Sequence, residues 1–228
     1  MKNRKSYRVE LFLIFVTVVS AFALNSWNEN RKANIAENKL LAEIKKGLEK
    51  DLLDMDENLR GHHVGNQAVD YFRHFLLNKP INQDSLVLYY LSVTRDFISI
   101  QNVSGYETLK SRGFELIQND SLRTKIISLY EYDYSSLRKL EEEYYEMQFQ
   151  ENYFREINRT LAKYFLFDAN GKITGIDVNQ KVDESEKRIL LSYLMKIKTN
   201  RTFAIYQYGI TKTKVLDLIK NIELIQND

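Results

Sequence analysis

Residues that could do chemistry are thinly spread in this chain of 228 residues. The three histidines are His62, His63 and His74. Neither an H-x-x-x-H nor an E-x-x-H spacing joins them to one another or to an acid, as a helical metal site would require. On a helix, adjacent His62 and His63 point about 100° apart. The chain has no cysteine, which excludes disulfides, thiol catalysis and thiolate metal sites. Glu141, Glu142 and Glu143 form a dense acidic run that reads as the solvated face of a helix. The stretch from Asp168 to Gly171 has the flavour of a calcium loop, but its glycine comes fourth where such a loop needs it sixth. No G-x-S-x-G, Walker or dinucleotide glycine pattern occurs. The expectation is therefore a non-enzyme with no catalytic, cofactor or metal residues. A ligand pocket, if one forms between helices, would draw on converging polar residues such as Tyr132, Asp133 and Glu151.

The element that must position everything else is an uncharged apolar run over residues 11–27. Its candidate membrane-contact residues are Leu11, Phe12, Leu13, Ile14, Phe15, Val16, Val18, Val19, Phe22, Leu24 and Trp27. At about 1.5 Å per residue the run is about 25 Å of helix, a little under the roughly 30 Å hydrocarbon core. Val9 extends it, Arg8 can snorkel, and Glu10 is tolerable only at the headgroup edge. Trp27 suits the opposite interface, where its ring stays apolar and its N–H wet. A cleaved signal peptide is the competing reading, with Ala21, Phe22 and Ala23 as an A-x-A-like site. Against it, the helical pattern runs straight through the would-be cut. Lys2, Arg4, Lys5 and Arg8 precede the run, and Arg31 and Lys32 follow it. The positive-inside rule then expects residues 1–8 in the cytoplasm, a spanning helix over 9–27, and a domain of residues 28–228 outside, in the periplasm.

Two blocks carry a family resemblance. The first is Glu10-Leu11-Phe12-Leu13, the apolar run, and then Asn25-Ser26-Trp27-Asn28-Glu29-Asn30-Arg31-Lys32. The second runs from Gly105 to Gly113 and from Glu115 to Arg123. Together they resemble a family of uncharacterised bacterial single-anchor membrane proteins, a domain of unknown function whose Glu-led hydrophobic helix closes on an N-x-W-N-E-x-R-K signature. The resemblance implies an anchor and supplies no activity. This run has Thr17 and Ser20 but no glycine, unlike many such anchors.

Composition fits a tethered helical module. One proline and eight glycines favour long helices over a turn-rich β fold. A net charge of +2, from 33 basic and 31 acidic residues, gives no basic stripe for nucleic acid. Leu41, Ile44, Leu48, Leu52, Met55 and Leu59 recur at steps of three and four, one apolar stripe beginning roughly 20 Å past Trp27. No Pro or Gly lies between Leu11 and Lys46, so one unbroken helix is expected from anchor to domain. The stretch from Gly61 to Gly65 is expected to break it, with a further helix over residues 66–78 stopped at Lys79-Pro80. Asp84 or Ser85 is expected to cap a short helix through Phe97, and Ser104 one that ends at Gly113. Residues 122–167 hold a near-heptad stripe interrupted at Asp133 and Glu151, so long that it must bend, project or coil. The seven tyrosines between Tyr130 and Tyr164 suit helix packing or a contact surface. Asn170-Gly171 predicts a type I′ hairpin. Asp183 or Ser185 should cap a helix through Lys198, with a last helix over 202–226. Residues 223–228 repeat residues 115–120 letter for letter, which reads as coincidence.

The fold class expected is all-α: an N-terminal transmembrane helix continuing into an antiparallel bundle with long coiled-coil-like helices, and at most one small β-hairpin near 167–176. The function expected is a membrane-anchored interaction or scaffold module, with the lipid bilayer and another envelope protein or itself as partners and no nucleic acid. The alternative is a ligand sensor or enzyme with a pocket between helices, secreted to the periplasm after cleavage.

Overall fold

The structure, a computed structural model, describes residues 4–227, and side chains over 10–226. Two long helices form its spine. The first, α1 (Arg4–Leu76), holds 73 residues, and the last, α7 (Glu184–Asn227), holds 44. They run antiparallel, as the rungs between them show. Gln226 bonds the Asn38 carbonyl, Lys45 pairs with Glu223 at 2.7 Å, Lys212 with Asp56, and Lys198 with Asp70 at 2.6 Å. Between them α2 (Leu86–Ser92), α3 (Ser104–Arg112), α4 (Asp120–Ile127), α5 (Tyr134–Glu142) and α6 (Phe149–Leu161) complete an all-α bundle. A two-stranded antiparallel hairpin, β1 (Phe165–Phe167) and β2 (Ile173–Ile176), closes its far end.

α1 does not break at Gly61 to Gly65, and residues 66–76 are its last turns rather than a separate helix. The glycines are there for close approach. A Cβ on Gly61 would lie 2.2 Å from the Phe97 ring, and one on Gly65 2.5 Å from the Arg201 guanidinium. α1 ends in a Schellman turn before Pro80: the Lys79 N–H donates to the His74 carbonyl, the Asn78 N–H to that of Phe75, and Asn78 takes a positive φ of 53°.

The middle of the chain departs from expectation where backbone groups find distant partners. The cap before α2 is Asn82, whose side chain accepts from the Asp84 N–H, and α2 stops at Ser92 rather than Phe97. Ser104 opens α3 without capping it, and Gly113 (φ 98°) ends that helix as expected. The stripe over 122–167 is bent. A π-helical turn spans Ser128–Asp133, and the chain breaks between Glu142 and Phe149, so Glu151 sits inside the first turn of α6 rather than at an interruption. α7 is continuous through residues 199–201, with Asp183 accepting from the Ser185 and Glu186 N–H groups as its cap. The hairpin is where Asn170-Gly171 put it, but not type I′. Gly171 has φ 78° while Asn170 keeps a negative φ, because the Asp168 carboxylate gathers the N–H groups of Asn170 and Lys172. The repeated hexapeptide takes two shapes: Phe114–Leu116 is a 3₁₀ turn running into an extended Ile117, whereas residues 223–227 are α-helical.

Two apolar cores result. One gathers Leu41, Ile44, Leu48 and Met55 of α1 with α3, α4, α5 and the second half of α7. The other gathers Phe72, Phe75 and Leu76 with α2, α6, the hairpin and the first half of α7. The expected stripe on α1 faces the first core, with Leu52 and Leu59 at its margin.

Candidate functional site

Three places could carry function: the apolar run, a polar belt between the two cores, and a groove beside α7. Each follows from how α1 and α7 are dressed by the rest of the chain.

Every candidate membrane-contact residue, from Leu11 and Phe12 to Leu24 and Trp27, is exposed on the first half of α1. The most apolar window of this helix has a mean hydropathy of 1.7, and none of it is buried against the rest of the chain. The helix is long and apolar enough to cross a membrane. Arg31 lies over the Trp27 ring at 5.6 Å, and Lys32 pairs with Glu29 at 3.2 Å. The bundle first grips α1 at Asn34 and Glu37, whose side chains accept from the Gln118 side chain and N–H. Those contacts lie about 10 to 15 Å beyond Trp27 at 1.5 Å per residue.

The belt is built around residues 93–103, an irregular segment threaded between α1, α5 and α7. Its backbone donors are taken by carboxylates. Asp51 accepts from the Asn102 N–H at 2.7 Å, Asp54 from the Ile100 N–H at 2.9 Å, and Glu141 from the Ser99 N–H at 3.1 Å. Tyr134 donates to Asp51, and Tyr208 to Glu141. Arg201 takes the carbonyls. Fully buried, it donates to those of Ser92, Val93 and Arg95 at the end of α2, meets His62 Nδ1 at 3.3 Å, and stacks 4.3 Å over the Phe149 ring. Asp96 caps α6 by accepting from the Phe149 N–H at 2.7 Å. Hydrogen bonds to charged partners, here those of Arg201, Asp51, Asp54 and Asp96, contribute about 1.5–3 kcal/mol each, so the segment is pinned firmly.

Burial sets the protonation states here. Desolvation, helped by the Arg201 charge and by His63, drives His62 down to about 3, so it is a neutral ring. Desolvation lowers Arg201 to about 10, still charged at neutral pH. Desolvation lifts Glu141 to about 7 against the bonds from Tyr208 and Ser99, with Asp54 and Glu142 adding to the lift. Glu141 is thus no solvated member of its acidic run; it is the buried residue of the three. No sequence signal marks it apart from its neighbours.

The histidines differ in burial. His62 is buried in the belt, its neighbour His63 is exposed, and His74 lies half-buried in the last turn of α1. Among the described residues no three His, Cys, Asp or Glu side chains are placed to hold a metal ion.

The groove runs between α5 and α7, about 490 Å³ in volume. Leu137 and Leu140 floor it, Tyr132, Tyr144, Phe203 and Ile210 form its lips, and Lys214 bonds Asp133 across it at 2.5 Å. The π-helical turn supplies Tyr132 and Asp133. Two of the three anticipated pocket residues therefore meet here, while Glu151 is exposed on α6 and does not line it. Of the seven tyrosines, Tyr130, Tyr134, Tyr153 and Tyr164 are buried packing residues, and Tyr132, Tyr144 and Tyr145 face out.

The chain belongs to a family of unknown function (DUF6090), whose sequence model matches residues 10–186. The match takes in the apolar run, the belt segment and the π-helical turn. No curated relative and no solved structure matches the chain.

Proposed function

We propose that this protein is a single-pass membrane-anchored module that acts by binding other proteins, with α1 as both anchor and first helix of the binding domain. The observation that carries this reading is the solvent-facing apolar run: eleven large apolar side chains on one helix, from Leu11 to Trp27, with nothing from the rest of the chain over them. In water such a surface is costly, at about 25 cal/mol per Å², and the bilayer removes that cost. Trp27 and Arg31 at one end and Arg8 at the other suit the two interfaces. The family match begins at Glu10, so the run is part of what the family model covers. The excess of Lys and Arg before the run favours the outer, periplasmic side for the bundle.

The bundle supports binding over catalysis. Asp51, Asp54 and Glu141 are engaged in holding the backbone of residues 99–102, Asp133 at the groove is paired with Lys214, and Glu151 does not join it there. Membrane fractionation tests the reading: the full chain should stay in the pellet through alkaline carbonate, with an intact N-terminal mass. Release into the supernatant, or a chain beginning near Leu24, would overturn it.

A further inference from the structure

The outward face of α7 has no task within the bundle. Between Lys196 and Lys214 its exposed residues, among them Thr199, Phe203, Tyr206, Gly209, Ile210 and Thr213, carry no charge, although 28% of the chain is charged. Phe203, Tyr206, Ile210 and Thr213 follow a 3-4-3 spacing, the seam of a paired helix. Tyr206 is 63% exposed and Phe203 46%.

Gly209 is the second observation. Gly47, Gly61, Gly65 and Gly105 each lie against a neighbouring group that a Cβ would crowd, and Gly113 and Gly171 have positive φ. Gly209 sits inside a helix, exposed, with nothing within 4 Å of where its Cβ would be. A mid-helix glycine weakens a helix. Its missing side chain is of use only to something that approaches from outside.

We infer that a second copy of this chain packs its own α7 on this face, in a parallel two-fold pair with Tyr206 near the axis and Gly209 where the helices come closest. In such a pair each residue near the axis meets its own counterpart, so any charge would meet its like. The seam has none, and the cations at its two ends are neutralised within the chain, Lys196 by Glu146 and Lys214 by Asp133. A partner of different sequence would place no such restriction on the face. The groove between α5 and α7, with Phe203 and Ile210 on its lip, offers room for the opposing side chains. The pairing rests on the anchor reading in one respect: copies held in one bilayer on an unbroken α1 present this face at the same height.

Because the chain has no cysteine, single substitutions give unique thiols. Tyr206→Cys, Thr213→Cys and, as a control on α3, the exposed Ser111→Cys are made in the full chain and oxidised in native membranes with copper phenanthroline. A disulfide needs Cα atoms within about 7 Å, so the two seam positions should give at least about tenfold more covalent dimer than the control. Adding Gly209→Leu to the Tyr206→Cys chain should abolish most of that product with the far-UV circular dichroism unchanged. Equal cross-linking at all three positions, survival of the dimer in the chain that also carries Gly209→Leu, or capture of a different protein would each overturn the pairing. Whether the chain sediments with membranes reports separately on the anchor. If it is soluble, the same cross-links still decide the pairing.

Discussion

The two halves of α1 are one helix in two settings. Over residues 11–27 its large apolar side chains are exposed all round. Over residues 37–76 it is dressed on several sides, by α7 along its length, by α2 and α3, and by the belt segment. Backbone geometry does not distinguish the halves; the neighbours do. A uniformly apolar surface is matched to a solvent that is itself apolar, whereas a stripe needs a core. The second half also carries groups that no apolar solvent would accept, Asp51, Asp54 and His62, each usable only because a named partner waits for it.

That contrast is broken most severely by a charge in each half. Leu48→Asp buries an unpaired carboxylate in the first core and should unfold the bundle, at about 4 kcal/mol or more, seen as loss of cooperative thermal melting. Val16→Asp should leave the melt unchanged and move the chain out of the membrane pellet. A bundle that melts earlier with Val16→Asp would mean that the first half is packed on the domain after all.

Arg201→Met should come next, lowering stability by about 3–5 kcal/mol in urea denaturation, since it strips the α2 carbonyls and leaves His62 facing nothing. Arg201→Lys should not rescue it, because an ammonium cannot span the three carbonyls and the His62 nitrogen as the guanidinium does.

The belt should also make stability depend on pH in two opposed ways, while membrane association stays flat. Glu141 is raised from its ordinary 4.5 to about 7. Its contribution is therefore full below 4.5 and is lost as pH rises towards 7. His62 is lowered from 6.5 to about 3, so its contribution is full above 6.5 and is lost as pH falls towards 3. Between pH 4.5 and 6.5 the two slopes oppose. Glu141→Gln should remove most of the first, worth about 3 kcal/mol. That leaves mainly the His62 rise up to pH 6.5, with Asp51 and Asp96, whose carboxyls burial also raises, adding a weaker fall. An unchanged profile in Glu141→Gln would show that this carboxyl is not the titrating group.

What the sequence disclosed was what local periodicity controls. The α1 stripe, the Gly113 stop and the position of the hairpin all rest on spacing or on a single turn residue. What it hid was set by residues far away. Gly61 and Gly65 read as breakers because Phe97 and Arg201, which need the space, lie elsewhere in the chain. Glu141 looked like Glu142 and Glu143 because only Tyr208 and the Ser99 N–H mark it as buried. The hairpin turn had the right place and the wrong type, because the Asp168 side chain overrode the dipeptide's preference. The belt segment, with no cap or period of its own, gave no local sign of the carboxylates that pin it.

The smallest effect lies at the junction of the two halves. Asn28 and Asn30 sit within α1 and lower helix propensity there. Asn30→Ala should stiffen the junction by about 0.5 kcal/mol, detected as slower amide exchange over residues 28–34 with no change in the bundle. A loss of protection would mean that the asparagine makes a contact the helix depends on.

The claim on which the account turns is that anchor and bundle are one rod, so that the domain stands at fixed height above the bilayer. Asn30 and Glu43 are both exposed on α1 and bracket the first grip of the bundle at Asn34 and Glu37. With nitroxide labels at both positions in membrane-reconstituted protein, pulsed dipolar spectroscopy should give one narrow distance distribution about 20 Å between backbones, the helical rise over that span. A broad distribution, or one centred well short of that value, would contradict it.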